Sequence, residues 1–134
     1  MAVSNTAVSN KIYIPLCHHI ILNDISVAAD VMTNMVLGFA GNLFKTFFVT
    51  TTPVTTGAKL LTLNWEIGSV NTVGGTIALT SALCTPLGAI VAGSAFTGSN
   101  SFGKDSTISL EAASVTQFTE GQGTVVLIIE VEVL

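Results

Sequence analysis

Two long stretches of this chain alternate apolar and polar residues with a period of two, and no stretch sustains a period of 3.6. Over residues 59–67, Leu61, Leu63, Trp65 and Ile67 point one way, and Leu60, Thr62, Asn64 and Glu66 the other. Over Thr124 to Leu134, Val125, Leu127, Ile129, Val131 and Val133 share one side, and Val126, Ile128, Glu130 and Glu132 the other. A chain patterned in this way buries its apolar rows by pairing strands. The first half of the last stretch is apolar on both sides, which calls for cover on both faces there.

The remaining segments agree. Lys11 to Leu16 reads as a first strand, with Pro15 marking an edge or a bulge, and His19 to Leu22 continues or follows it. Asn23-Asp24 signals a turn. Residues 31–39 read as a second strand and Leu43 to Thr52, rich in Phe, Val and Thr, as a third. Gly74-Gly75 marks a tight turn before Thr76 to Leu79. Residues 81–95 read either as a short helical turn followed by a strand or as loop throughout. Thr107 to Ala112 alternates, with Ile108, Leu110 and Ala112 on one face, and Phe118 anchors the connection from Ser114 to Gly123. Seven or eight short strands of this kind predict an all-β fold: an antiparallel two-sheet β-sandwich, jelly-roll-like or barrel-like, with Trp65 as the central plug. The 134 residues suit one domain, residues 11–134, preceded by an N-terminal arm, residues 1–10.

Charge is scarce. Only 9% of residues are Asp, Glu, Lys or Arg, against about 25% in an average soluble domain. The surface is therefore built largely from hydroxyls and amides, which suits a protein covered by other copies of itself or by a larger assembly. The net charge of −4 and the four scattered lysines, Lys11, Lys45, Lys59 and Lys104, argue against a nucleic-acid partner and against docking on anionic lipid. The N-terminus has no basic region followed by an apolar run, so it does not read as a secretory signal. The uncharged stretch Ile77 to Phe96 is broken by Thr, Ser, Pro and Gly and makes a poor membrane span.

Few residues suggest chemistry. Cys17, His18 and His19, with the distant Cys84, resemble a zinc set in composition only. Adjacent residues on a strand face opposite ways, and structural zinc takes spaced ligand pairs. The simpler expectation is one histidine facing in and hydrogen-bonded, and one facing out. Cys17 and Cys84 either pair or are two buried thiols, and the second is favoured because free cysteine is usually buried. Asp24 and Asp30 lie near turns and suit solvated loops better than a weak calcium site. No nucleophile elbow is present, and Gly121-Gln122-Gly123 reads as a turn into the last strand rather than a phosphate loop. Neither an enzyme nor a cofactor is indicated.

The first ten residues hold a tandem repeat. Ala2, Val3, Ser4 and Asn5 are followed, after Thr6, by Ala7, Val8, Ser9 and Asn10. This is either a frayed terminus or an arm that orders on a neighbouring subunit. Fully extended, ten residues span at most ~33–36 Å, enough to cross onto a partner.

Residues 54–133 carry a resemblance. Leu63-Asn64-Trp65-Glu66-Ile67-Gly68, the Gly74-Gly75 turn, Leu79-Thr80-Ser81-Ala82, Thr85-Pro86-Leu87-Gly88 with Ala92-Gly93, Asp105-Ser106-Thr107-Ile108 and the run Val115 to Gly123 resemble small β-rich structural proteins of tailed-bacteriophage virions. These are similar to capsid decoration (cement) proteins and to head-fibre or spike bases. The resemblance implies a component of the virion exterior that binds the major capsid protein and stabilises the head as a homo-oligomer, with a trimer favoured. The alternatives are another virion part (tail, fibre, spike base or capsid subunit) or a carbohydrate-binding module on a host-facing spike. No catalytic set accompanies it.

Overall fold

A computed structural model describes residues 10–133. Within them the chain forms β1 (Asn10–Ile21), a 3-10 turn (Leu22–Asp24), β2 (Ala29–Met35), β3 (Gly41–Thr52), β4 (Leu60–Ile67), β5 (Val70–Asn71), β6 (Ile77–Thr80), β7 (Ile90–Ala92), β8 (Ser101–Phe102), β9 (Ile108–Thr116) and β10 (Gln122–Val133). Every pairing is antiparallel. The first sheet runs β1-β10-β3-β7, with β8 also on β3; the second runs β2-β9-β4-β5, with β6 also on β4. This is the all-β two-sheet sandwich that the alternation predicts.

The segments read separately as Lys11–Leu16 and His19–Leu22 form one strand, β1, whose twelve pairs with β10 run without a bulge. Pro15 sits within it at the sheet edge. Asn10, assigned to the arm through the tandem repeat, is the first residue of β1 and faces Val133; Ala2 to Ser9 lie outside the described residues. The second strand falls two residues earlier than expected and ends at Met35. Its register on β9 shifts twice, and Asn34 and Gly38 take left-handed backbone angles (φ 50° and 81°) that a continuous strand does not accommodate. The ambiguous span 81–95 is a turn followed by β7: the N–H of Cys84 returns to the carbonyls of Thr80 and Ser81. The last strand begins at Gln122, two residues before the expected start.

The inward rows meet as the sequence dictates. Leu61, Leu63 and Trp65 of β4, Ile108, Leu110 and Ala112 of β9, and Val125, Leu127 and Ile129 of β10 are all buried, and so is Phe118 in the β9–β10 connection. Gly123 faces the Phe48 ring so closely that a Cβ there would lie 2.0 Å from Cζ. Only glycine lets that ring lie across β10. Trp65 is 2% exposed, and its indole N–H donates to Thr46 Oγ1 at 3.0 Å. The Thr46 hydroxyl in turn donates to the Val126 carbonyl at 2.9 Å. One hydrogen-bonded line therefore runs from the second sheet, through β3, to β10 of the first.

Among the described residues, backbone hydrogen bonds lace the sandwich along the β6 and β7 margin, while at the opposite margin the sheets are joined by the β1–β2 connection, residues 22–28. Beyond β7 the chain crosses between the sheets: Gly93 N–H donates to the Thr46 carbonyl, Ser94 N–H to that of Thr76, and Gly75 N–H to that of Ser94. At the opposite margin β1 pairs only with β10, and β2 only with β9. The long β3–β4 connection is latched from across the molecule by Glu120. Its carboxylate accepts from the N–H groups of Thr55 (2.7 Å) and Thr56 (2.5 Å) and from the hydroxyls of Thr55, Thr56 and Thr119.

Two buried threonines of β3 make a matched test. Thr46 has both of its roles filled, whereas the buried Thr50 Oγ1 meets only the weakly hydrogen-bonding thiol of Cys84. Thr46→Val leaves the Trp65 indole N–H without an acceptor and is expected to cost about 1–3 kcal/mol. Thr50→Val removes a buried hydroxyl whose partner is a weak one, the Cys84 thiol, and is expected to be neutral or stabilising. Denaturant unfolding of both variants checks the contrast. The Glu120 latch adds a pH test. Its accepted hydrogen bonds, Thr119 foremost, hold the carboxyl down to about 2 from the ordinary 4.5. Its stabilising contribution is thus present above 4.5 and lost as pH falls towards 2. Glu120→Gln is expected to flatten that part of the stability profile, measured as melting temperature against pH.

Candidate interaction face

The continuous register of the first sheet decides which side chains share its outer face. In β1 the inward set is Ile14, Leu16, His18 and Ile20, opposite Ile129, Leu127, Val125 and Gly123 of β10. The outward set is therefore Tyr13, Pro15, Cys17, His19 and Ile21. Carried across β10, β3 and β7, the same register aligns Cys17, Val126, Phe47 and Ala92 in one row, and His19, Thr124, Val49 and Ile90 in the next. A third row holds Pro15, Ile128 and Lys45. The first row contains no charged or polar side chain across four strands.

The cover that the two-sided apolar start of β10 calls for is absent from the described residues. Val126, Ile128, Phe47 and Val49 are half-buried by one another, and Ile90 at the far strand is 68% exposed. At one end a bulge in β3 opposite Ile128 and Ile129 turns Phe44 outward, where its ring meets Tyr13 at 4.9 Å between centroids, tilted by 53°. Both rings are 48% exposed. Charge on this face is confined to that end, where Lys11 pairs with Glu130 at 3.5 Å, and to Lys45. The middle of this face is thus apolar, with its charge at one end and at Lys45.

The outer face of the second sheet is of opposite character. Asp30 of β2 lies opposite Glu111 of β9, and Glu66 of β4 is one diagonal away. Carboxylate oxygens of all three lie within 4.8 Å of one another. Partial burial raises the Glu66 carboxyl above its ordinary 4.5, and hydrogen bonding and repulsion from Glu111 and Asp30 push it further up. Asp24 stands apart in the 3-10 turn, so the two aspartates paired in the sequence reading do not form a set. The sequence contains no local signal for the trio, because it is assembled by register from three strands distant along the chain.

The remaining sequence candidates fall in separate places. Both cysteines are free. Cys84 is buried, and that burial pushes its thiol up to about 11. Cys17 is exposed, contrary to the expectation of two buried thiols, because the parity of β1 turns it outward. His18 and His19 do face opposite ways, but the hydrogen-bonded one is the outward His19, which donates from Nε2 to Gln122 Oε1 at 3.1 Å. Of the arm residues, Asn10 alone is described, and it is a strand residue. Among the described residues no helix is long and apolar enough to cross a membrane, and residues 77–96 divide into β6, a turn and β7.

Glu66 gives this face a measurable signature. A carboxyl raised on folding stabilises the fold fully below its unfolded value of 4.5, and that contribution is lost as pH rises through the folded value. Glu66→Gln is expected to raise the melting temperature at neutral pH and to flatten the decline in stability on the alkaline side of 4.5, as read by thermal melts across pH.

No protein-family model matches this chain, and no curated protein matches it.

Proposed function

We propose that this chain is a structural virion protein, a decoration protein that binds the outside of a bacteriophage head and stabilises it. The observation that carries this reading is the uncharged row Cys17-Val126-Phe47-Ala92 on a sheet face that nothing in the described chain covers. The partner is the major capsid protein. The mechanism is burial of apolar and hydroxyl surface repeated over many copies. Interfaces of standard size bury ~1,200–2,000 Å² in total, and linking several weak contacts in one oligomer raises avidity by ~10²–10⁴. A trimer suits the threefold sites of an icosahedral shell. Contacts of this type change little with salt, because few of them are ionic. The turn and strand grammar of residues 54–133 supports the same class.

The Tyr13–Phe44 ring pair favours one second reading, a carbohydrate-binding face on a host-facing spike, because exposed adjacent rings can stack on a sugar. Trp65 takes no part in such a face, being buried.

Two variants test the proposal on heads assembled from the major capsid protein. Val126→Glu places a carboxylate in the centre of the apolar row and is expected to reduce occupancy by about tenfold or more, equivalent to roughly 1.4 kcal/mol or more per site. Removal of residues 2–9 is expected to lower occupancy while far-ultraviolet circular dichroism of the β-core is unchanged. Quantitative co-sedimentation reads both. Full occupancy by Val126→Glu overturns the assignment of this face, and glycan binding lost on Tyr13→Ala replaces it with the spike reading.

A further inference from the structure

Among the described residues β1 is an edge of the first sheet, and its backbone specifies what can join it. All twelve pairs of β1 with β10 keep one register, so the strand is regular from end to end. Leu22, which continues that register, donates its N–H to the Gly121 carbonyl at 2.9 Å. Even-numbered residues of β1 therefore direct N–H and C=O towards β10, and odd-numbered residues direct theirs towards the open side. Pro15, which has no N–H, falls in the outward set, where its missing donor costs the sheet nothing. Natural edges are usually guarded by charge, bulges or a covering segment. Among the described residues β1 has no bulge, no covering strand and one charged side chain, Lys11, at its far end. Among the described residues Cys17, His19 and Ile21 thus offer an unpaired row of donors and acceptors beyond the proline, open along a groove whose other wall includes Asp24 to Val27 of the β1–β2 connection.

We propose that this row pairs with the same row of a second copy, β1 against β1 in antiparallel register about a two-fold axis at His19. Pro15 selects the register. An axis at Cys17 would set Pro15 opposite His19 of the other copy and leave a carbonyl unanswered on each side. An axis at His19 sets Cys17 opposite Ile21, His19 opposite His19 and Ile21 opposite Cys17, and each pair exchanges both of its N–H···O=C bonds. The axis stands perpendicular to the sheet, so the two outer faces continue into each other. The apolar row ending at Cys17 then extends onto Ile21 of the second copy. In a lattice of trimers this contact would link neighbours across local two-folds without competing with the trimer interface. It stands whether or not the chain coats a shell, because it is tested on the purified protein alone.

Ile21→Cys places a thiol opposite Cys17 of the other copy. Cα atoms of a hydrogen-bonded antiparallel pair are ~5.5 Å apart, inside the ~4.4–6.8 Å that a disulfide spans. Copper-phenanthroline oxidation of Ile21→Cys is expected to give a covalent dimer on non-reducing electrophoresis, with peptide mapping showing Cys17 joined to the thiol introduced at position 21. The same treatment of the unmodified chain is expected to leave Cys17 free. In parallel, sedimentation over about a hundredfold range of concentration is expected to show self-association that His19→Pro weakens by about tenfold or more. His19→Val, which keeps the N–H, is expected to retain it, and circular dichroism confirms that both variants fold. Cross-linking of Cys17 to Cys17 in the unmodified chain overturns the register. A monomer at every concentration, or association that His19→Pro leaves intact, overturns the edge contact. So does association lost on deleting residues 2–9 alone, which would make the arm the occupant.

Discussion

The Trp65–Thr46–Val126 line is the constraint on which the sandwich depends. A tryptophan is the largest plug a small core can hold, but its N–H must find an acceptor wherever the ring is buried. Thr46 supplies that acceptor from the facing sheet and donates its own proton to a backbone carbonyl of the next strand. The distance between the sheets, the rotation of the indole and the register of β3 on β10 are thereby fixed together. A sliding of β3 by one residue would turn Thr46 outward and present Phe47 or Lys45 to the indole. Apolar packing alone would tolerate several arrangements of these sheets; the hydrogen-bonded line admits one.

The strand faces are legible in the sequence because their signal is local. Leu61, Leu63 and Trp65, and likewise Val125, Leu127 and Ile129, are placed by a period of two that needs no knowledge of partners, and Phe118 stands out as the one large apolar residue in a polar connection. Pro15 as an edge residue is legible for the same reason, since proline cannot serve a central strand. What stays hidden depends on register between distant strands. The carboxylate trio of Asp30, Glu66 and Glu111 exists only once β2, β9 and β4 are aligned. Cys17 departs from expectation because the general tendency of cysteine to be buried competes with the parity of β1, and the parity prevails. The end of β2 departs because Asn34 adopts a left-handed angle, which residue identity permits but does not announce.

The two outer faces divide the molecule's behaviour. One is apolar over its middle rows and charged only towards one end and at Lys45; the other carries three mutually repelling carboxylates at its centre. A sheet with one face in water does not normally present Val126, Ile128, Phe47 and Val49 on that face. Among the described residues no third layer lies over these four side chains. The carboxylates of Asp30, Glu66 and Glu111 stand on the opposite outer face, away from these rows.

Backbone hydrogen bonds along one margin hold the sandwich there like the spine of a book. Near Gly93 and Ser94 the backbone itself joins the two covers, so their separation there is set by hydrogen bonds of fixed length. At the β1 and β2 margin residues 22–28 join the covers at one end, and beyond that link no ladder runs between them. Spreading of that margin would consequently be greatest at the end remote from the link, where β1 begins and β2 ends.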